Sequence, residues 1–194
     1  MIVKICGITN QDDAAAAVDA GASAIGFNFY RDSPRYISPT GAALIAEKIP
    51  RGVWKVGLFV NETAEMVARI ALQAGLDVAQ LHGTSEARGI RIWRACNVND
   101  WEDARDIDVG TEALLVDAPS DLLYGGTGTT FDWSRAKEIP EKIVIAGGLD
   151  ASNVREAIDC AQPWGVDACS RIEQAPGLKD HEKMRKFVKA ALQS

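Results

Sequence analysis

The sequence predicts an α/β fold, a compact (β/α)₈ barrel of the TIM type that occupies residues 1–194 as a single domain. A chain of 194 residues fits one domain and buries roughly 70% of the surface that its unfolded form exposes. Short runs rich in β-branched residues alternate from end to end with Ala-rich helical segments, a pattern typical of parallel strands covered by helices. Eight such pairs favour a closed barrel, although about 24 residues per pair is short for this fold. An open doubly wound sheet is the alternative.

Eight strands and eight helices are predicted in alternation. The strand candidates are residues 2–6, 24–28, 53–60, 77–81, 90–95, 113–117, 142–146 and 165–168. The helix candidates are residues 12–20, 40–49, 62–74, 85–88, 100–106, 133–139 and 153–160, and a last helix that begins near Asp180. Gly21, Pro50 and Gly75 end the first three helices, because glycine and proline interrupt helical hydrogen bonding. The fourth and fifth helices are expected to be short or irregular.

Composition excludes several classes of protein. The chain is 47% hydrophobic and 25% charged, as ordinary soluble domains are, and it lacks the run of about 20 apolar residues that a membrane helix needs. A net charge of −6 with scattered Lys and Arg residues disfavours nucleic acid as a partner. The first residues lack the apolar stretch and cleavage site of a secretory signal. We therefore expect a cytoplasmic protein without a membrane partner, either a monomer or a homodimer.

The cysteines indicate neither a disulfide framework nor a metal centre. Cys6, Cys96, Cys160 and Cys169 show no C-x-x-C spacing and no nearby pair of histidines, which are the usual signs of such sites. We expect the last three to be small buried apolar side chains. No metal is expected.

Two connections are long enough to form a functional site. Residues 29–39 follow the second predicted strand, and residues 118–132 follow the sixth. The active sites of α/β barrels are built from the loops that follow the C-terminal ends of the strands, and loops of this length are either functional or disordered. The Tyr, Arg and Pro residues of the first loop and the Gly-rich run of the second favour function.

Cys6 and Asp117 are the candidates for acid/base chemistry. Cys6 ends the first strand as a buried structural cysteine or as a base, the second if a positive neighbour stabilises its thiolate. Lys4 points to the same face as Cys6 and needs a partner inside the barrel. Asp117 ends an apolar strand, where it caps the loop or, with a pKa raised by burial, donates a proton. Asp121 and Asp132 compete for that role, although Asp132 is better placed to cap the next helix.

Two neighbouring loops are candidates for a phosphate site. Gly147 and Gly148 follow the seventh strand, and Cys169, Ser170 and Arg171 follow the eighth. Barrels commonly bind phosphate at these two positions through backbone N–H groups. Paired glycines also make ordinary turns, so the signal depends on both loops together.

Three further polar residues are assigned from their positions. Arg35, in the first long loop, clamps a substrate carboxylate in bidentate fashion or is a solvated side chain. His82 ends the fourth strand as a site residue or as a structural histidine. His181 follows a predicted helix cap and is expected at the surface.

Seven segments together carry a resemblance to a known family. They are KICGIT at 4–9, GFNFYRDSPRYI at 26–37, VGLFVN at 56–61, QLHG at 80–83, GGTGTTFDW at 125–133, AGGL at 146–149 and VDACSRIE at 166–173. In this order they resemble the signature segments of the phosphoribosylanthranilate isomerase family. KICGIT and GGTGTTFDW are quite specific, whereas AGGL occurs in many phosphate-binding barrels.

The resemblance implies a (β/α)₈ barrel that converts N-(5-phosphoribosyl)anthranilate to 1-(2-carboxyphenylamino)-1-deoxyribulose 5-phosphate by an Amadori rearrangement, in tryptophan biosynthesis and without a cofactor. It implies that Cys6 is the base, Asp117 the acid and Arg35 the ligand of the substrate carboxylate. The remaining substrate-binding residues are then expected to be His82, Gly147, Gly148, Asp167, Ser170 and Arg171.

The sequence departs from the family pattern after the eighth strand. The family commonly reads DVSSGVE, whereas here Asp167 is followed by ACSRIE, so that Cys169 replaces a serine and Arg171 a glycine. Arg171 is then either strained in a left-handed conformation or has an ordinary φ and reaches the phosphate or an acid such as Glu173. Asn28, where the family often has an apolar residue, is a milder difference.

Two rival functions remain open at this point. One is the sister isomerase of histidine biosynthesis, or a dual-substrate version, which uses carboxylates in both catalytic roles. The other is a barrel that only binds phosphorylated ligands or partners. Cys6 argues against the first rival, and the presence of Cys6, Arg35 and Asp117 together argues against the second.

Overall fold

The chain folds into a closed parallel barrel. The computed structural model describes residues 1–107, 110–118 and 130–193. Eight strands are hydrogen-bonded in sequence order, and β1 pairs with β8 to close the ring. The predicted barrel is confirmed, and the open doubly wound sheet is wrong. Among the helices in these three ranges, none is both long and apolar enough to cross a membrane.

All eight predicted strands are present, and their ends differ from the prediction by two residues at most. They are β1 Ile2–Ile5, β2 Ala24–Asn28, β3 Trp54–Val60, β4 Val78–His82, β5 Arg91–Asn97, β6 Thr111–Asp117, β7 Ile143–Ile145 and β8 Gly165–Ala168. Neighbours pair in parallel throughout the ring. Their C-terminal ends therefore lie at one rim of the barrel.

Helices cover the outside of the barrel. They are α1 Gln11–Asp19, α2 Pro39–Ala46, α3 Ala64–Ala74, α4 Trp101–Ile107, α5 Val154–Ala161 and α6 His181–Leu192, with 3₁₀ segments at Trp133–Glu138 and Ser170–Ile172. Side-chain oxygens of Asn10, Ser38, Thr63 and Asp180 accept hydrogen bonds from the first turns of α1, α2, α3 and α6. Gly75 ends α3 in the left-handed conformation, as its position predicts.

The predicted fourth helix, residues 85–88, is absent. Arg94 is buried beneath this segment, where its guanidinium donates to the carbonyl oxygens of Gly83 (3.1 Å) and Ser85 (2.7 Å). A four-residue segment gains too little from helical hydrogen bonds to form alone. The contacts with Arg94 therefore determine its irregular path.

The barrel interior changes from apolar to polar towards the C-terminal rim. Because side chains alternate along a strand, every second residue points inward. One apolar cluster consists of Ala24, Val56, Val78, Trp93, Ala113, Leu115, Val144 and Ala146. Lys4, Gln80 and Asp167 are also buried, and they follow the same inward alternation nearer the rim. The polar residues of the interior thus lie at the end of the barrel where active sites form.

An antiparallel hairpin follows β8 and is missing from the predicted pattern. Its strands are β9 Glu173–Ala175 and β10 Leu178–Lys179. The backbone N–H of Lys179 donates to Oδ2 of Asp13 (2.8 Å), and Nε2 of His181 lies 2.7 Å from Oδ1 of the same carboxylate. His181 is 38% exposed, so it lies partly at the surface as expected. Asp13, on α1, thus forms hydrogen bonds to both the hairpin and the start of α6.

Candidate active site

The C-terminal ends of the strands surround an open cavity of about 630 Å³, which includes the space at its mouth. Small-molecule sites usually measure about 300–1,000 Å³. All nine residues predicted for the site line this cavity: Cys6, Arg35, His82, Asp117, Gly147, Gly148, Asp167, Ser170 and Arg171. The structure thus brings together side chains from the ends of six different strands and the loops that follow them.

Cys6 lies directly after β1 and is only 5% exposed. Its side chain packs against Leu58 and Cys169. A hydrogen bond from the Cys169 thiol and the positive charges of Lys4 and Lys179 lower the pKa of Cys6 well below its ordinary value, although burial opposes this. The lowered pKa of Cys6 favours its thiolate, which is the form that a thiol base requires.

Lys4 forms a buried ion pair with Asp167. Its Nζ lies 2.8 Å from Oδ2 of Asp167, so the partner that the sequence could not identify is this carboxylate. Burial acts to lower the pKa of Lys4, but the charges of Asp167 and Cys6 outweigh it and raise that pKa. Burial raises the pKa of Asp167 to about 7 in spite of Lys4. Lys4 therefore remains charged through the neutral range, in which Asp167 titrates.

Asp167 also has an unused acceptor at the cavity. Its other oxygen, Oδ1, is buried and has no hydrogen-bond partner among the residues that the structure describes. A buried carboxylate oxygen without a donor is costly, so a ligand hydroxyl that donates to it would be bound favourably.

Asp117 is the last residue of β6 and faces the same cavity. Burial raises the pKa of its carboxyl group to about 6, although the backbone N–H of Ala118 donates to Oδ1 at 2.7 Å and favours the ionised form. An acid with a pKa near 6 still holds its proton in about one molecule in ten at pH 7. The pKa values of Asp117 and Cys6 are thus shifted in opposite directions, as an acid and a base require.

Of the two rival carboxylates, the structure describes only Asp132, which does not line this cavity. Asp132 accepts hydrogen bonds from the backbone and hydroxyl of Ser134 and caps the 3₁₀ segment, as predicted. Asp121, with residues 119–129 of the second long loop, lies outside the described residues.

Arg35 reaches the cavity from the loop after β2 and is held by Glu173. Its Nε lies 3.0 Å from Oε1 of Glu173 and its Nη2 lies 2.8 Å from Oε2. Glu173 also accepts from Nζ of Lys179 at 2.7 Å. Nη1 of Arg35 makes no hydrogen bond within the described part of the chain, so its donors are available to a ligand.

Two local features place Arg35. Asn28, at the end of β2, donates to Oγ of Ser33 at 3.0 Å and accepts from the backbone N–H of Tyr30 at 2.9 Å, which orders the start of the loop. Gly7 has a φ of 73°, and a Cβ there would lie 2.8 Å from Cδ of Arg35. Glycine is required at this position both by the backbone and by the close approach of the guanidinium stem.

The two candidate phosphate loops lie side by side. Gly147 and Gly148 both have positive φ, 83° and 60°, which suits a glycine pair. Arg171 lies in the 3₁₀ segment after β8, without a positive φ, so the strained alternative is wrong. Nη1 of Arg171 lies 3.1 Å from Oδ2 of Asp150, not against Glu173. Its acid partner thus comes from the loop after β7.

His82 is buried at the cavity wall. Its Nε2 lies 2.9 Å from Nε2 of Gln80. Burial, followed by the positive charges of Lys4 and Arg94, lowers the pKa of His82 to about 3. The imidazole is therefore neutral at physiological pH and acts as a hydrogen-bonding group, not as a cation.

The sequence prediction was wrong about three cysteines and missed the hairpin after β8. Cys160 is exposed on α5, while Cys96 and Cys169 are only partly buried, so the prediction of three buried apolar cysteines is wrong. Cys169 lines the cavity beside Cys6. The hairpin that brings Glu173 and Lys179 under the site was equally absent from the prediction, although the Pro-Gly pair at 176–177 is a turn signal that could have revealed it.

The fold and the cavity define a class of protein. Within residues 1–107, 110–118 and 130–193, no group of three or more His, Cys, Asp or Glu side chains is placed to hold a metal ion. A closed α/β barrel whose rim combines a thiol of lowered pKa with a carboxyl group of raised pKa is an enzyme scaffold suited to acid/base chemistry.

Comparisons with known proteins specify the family. A family model described as N-(5'-phosphoribosyl)anthranilate (PRA) isomerase matches residues 3–190. An N-(5'-phosphoribosyl)anthranilate isomerase from Solibacter usitatus is 53% identical over 197 residues, which cover 98% of this chain and 97% of the relative. This chain belongs to the N-(5'-phosphoribosyl)anthranilate isomerase family.

Solved structures agree with this membership. The crystal structure of phosphoribosyl anthranilate isomerase from Thermotoga maritima matches with a TM-score of 0.87 and 38% identity, over 98% of each chain. A phosphoribosyl anthranilate isomerase in complex with reduced 1-(o-carboxyphenylamino)-1-deoxyribulose 5-phosphate matches with a TM-score of 0.83 and 37% identity, again over 98% of each chain.

Proposed function

We propose that this chain isomerises N-(5-phosphoribosyl)anthranilate to 1-(2-carboxyphenylamino)-1-deoxyribulose 5-phosphate, a step of tryptophan biosynthesis in the cytoplasm. The observation that carries the proposal is the presence, in one cavity, of a thiol with a lowered pKa and a carboxyl group with a raised pKa. Family membership supports the choice of substrate. The site takes a small phosphorylated molecule, and the oligomeric state, monomer or homodimer, stays a prediction.

Asp117 and Cys6 divide the proton transfers between them. Asp117 donates its proton to the ribose ring oxygen, the C1′–O bond breaks, and an iminium forms at C1′. Cys6 then removes the proton at C2′, and the electrons of the broken C–H bond form a C1′–C2′ double bond as the iminium is neutralised. The resulting enol tautomerises to the ketone. The iminium is the electron sink, so the reaction needs no organic cofactor.

The remaining polar groups of the cavity match the other parts of the substrate. Nη1 of Arg35 is available for the anthranilate carboxylate, and Oδ1 of Asp167 accepts from a ribose hydroxyl. The phosphate lies between the two loops after β7 and β8, contacted by Gly147, Gly148, Ser170 and Arg171. Neutral His82 forms part of the cavity wall around the substrate.

A direct assay tests the proposal. The purified chain is incubated with phosphoribosylanthranilate, without added metal, and loss of anthranilate fluorescence is followed. Turnover of this substrate supports the proposal. Ligand binding without turnover would indicate a binding protein instead, and turnover only of the corresponding isomerase substrate of histidine biosynthesis would assign the chain to the sister reaction.

Arg35→Ala is expected to raise KM about 100-fold, because a charge-assisted contact from Nη1 to the anthranilate carboxylate is worth about 2–3 kcal/mol. Steady-state kinetics measure the change. Arg31→Ala, an exposed residue of the same loop, is the control and should leave KM unaltered. A normal KM in Arg35→Ala would place the carboxylate elsewhere.

Arg171→Gly is expected to weaken binding of the phosphorylated product and to leave the affinity for anthranilate alone unchanged. The guanidinium is 42% exposed at the cavity rim beside Asp150, where it can also contact a phosphate dianion. Calorimetric titration of both ligands against the variant measures the effect. Equal product affinity in the wild type and the variant would show that Arg171 does not contribute to phosphate binding.

A further inference from the structure

Cys6 and Cys169 directly follow the C-terminal ends of two paired strands, β1 and β8. β1 and β8 pair in parallel with Ile5 opposite Ala168, and the backbone N–H of Cys6 donates to the carbonyl of Ala168 at 2.9 Å. Cys6 and Cys169 are the first residues after this last register pair of the two strands. Neighbouring strands are about 4.8 Å apart, which is within the Cα separation of about 4.4–6.8 Å that a disulfide spans.

The two side chains also meet. Cys169 packs against the small cluster that contains Cys6, and both thiols line the cavity. The cavity is open to solvent, so a small uncharged oxidant can reach them although Cys6 is only 5% exposed. The geometry therefore allows one of the two thiols to react with an oxidant and the other to attack the oxidised sulfur.

The charges around the pair favour such a reaction. Lys4 and Lys179 stabilise negative charge on Cys6, and a thiolate is the form that reacts with peroxides. Nζ of Lys179 lies 3.8 Å from Sγ of Cys169 and 2.7 Å from Glu173. The hydrogen bond to Cys6 and burial raise the pKa of Cys169 above its ordinary value, and the charge of Lys179 opposes this. Cys169 is therefore the thiol that keeps its proton, and Lys179 favours the loss of that proton when Cys169 attacks Cys6.

The other two cysteines lack these features. Cys160 is exposed on α5, and no second cysteine accompanies it there. Burial raises the pKa of Cys96 to about 12, so its thiol remains protonated and unreactive. Among the four, Cys6 and Cys169 alone combine mutual contact, access and nearby positive charge.

We propose that Cys6 and Cys169 form a peroxide-sensitive modification site, in which oxidation joins them in a reversible disulfide. The Cys6 thiolate attacks one oxygen of hydrogen peroxide, the O–O bond breaks, and the departing hydroxide takes up a proton to leave as water. Cys6 is then a sulfenic acid. The Cys169 sulfur attacks the Cys6 sulfur, the S–O bond breaks, and the hydroxyl leaves as a second water with the Cys169 proton.

This modification has two consequences. The disulfide removes the thiolate that Cys6 needs as a base, so the oxidised barrel is inactive; this consequence rests on the proposed function. It also protects Cys6, because a sulfenic acid that is captured by a neighbouring thiol does not proceed to the irreversible sulfinic acid. A dithiol reductant restores both thiols by exchange.

The test compares the wild-type chain with Cys169→Ser and with Cys160→Ser as the matched control. Each protein is treated with hydrogen peroxide, the remaining thiols are blocked by alkylation, and non-reducing peptide mapping identifies cross-linked cysteines. Isomerase activity is measured before treatment, after treatment and after dithiothreitol, always relative to the untreated form of the same protein.

We expect a Cys6–Cys169 cross-link in the wild type and in Cys160→Ser, with a loss of activity of at least about tenfold that dithiothreitol reverses. Cys169→Ser retains a hydroxyl of similar size but cannot form the disulfide. Its Cys6 should proceed to sulfinic acid at the same peroxide dose, and its activity should not return.

Absence of the cross-link in the peroxide-treated wild type would overturn the proposal, as would full recovery of Cys169→Ser with an unmodified Cys6. Peptide mapping does not depend on turnover. A cross-link in a chain that lacks isomerase activity would therefore support the modification site and contradict only the proposed function.

Discussion

Cys6→Ser is expected to lower kcat by at least roughly 10²-fold while the barrel remains folded. A serine hydroxyl stays protonated at pH 7, so the Lys4 charge that stabilises a thiolate has no comparable anion to stabilise. The substitution changes one atom in a cavity wall, and the contact with Leu58 is largely kept. KM should change little, because Cys6 acts on the C2′ proton and is not required for the carboxylate or phosphate contacts.

The measurement is steady-state kinetics together with circular dichroism and thermal unfolding of each variant. Cys160→Ser is the control, since it removes an exposed thiol far along the chain on α5 and should leave kcat unchanged. Unimpaired turnover in folded Cys6→Ser would refute its role as the base. A lower melting temperature with normal kcat would indicate a purely structural cysteine.

The fold could be predicted because its signals are local. Alternation of β-branched and Ala-rich segments identified all eight strands, and the period of two placed Lys4 and Cys6 on the same inward face. The same reasoning located Asp117 at the rim. These features depend on neighbouring positions in the chain, so the sequence alone determines them.

Features that depend on distant contacts could not be predicted. Residues 85–88 have a helical composition, but the carbonyl oxygens of this region are bound by Arg94 from the next strand. The partner of Lys4 lies 163 residues further on, at Asp167. Arg35 and Glu173 are joined across 138 residues by the hairpin after β8. Such pairs form only when the barrel closes, so local sequence patterns do not show which residues will be partners.

Asp117→Asn is expected to lower kcat by at least roughly 10²-fold, with substrate still bound, because the amide has nearly the same shape but cannot protonate the ring oxygen. The hydrogen bond that Ala118 donates to Oδ1 can be kept by the amide oxygen. Asp132→Asn is the matched control, since this carboxylate caps the 3₁₀ segment and is exposed, and kcat should be unchanged. If Asp121→Asn lost activity and Asp117→Asn did not, the acid would be Asp121 and not Asp117.

The pH profile supplies an independent test of the same assignment. Burial raises the pKa of Asp117 to about 6, and the protonated form is the one that donates, so wild-type kcat/KM should fall as pH rises through this value. Asp167 titrates near 7, and His82, with a pKa of about 3, adds no step in this range. Asp117→Asn has no acid to lose, so its residual kcat/KM should no longer decline near pH 6. A decline of kcat/KM near pH 6 that persisted unchanged in Asp117→Asn would show that another group governs the wild-type profile. Asp167 would then be the first group to test, with Asp167→Asn.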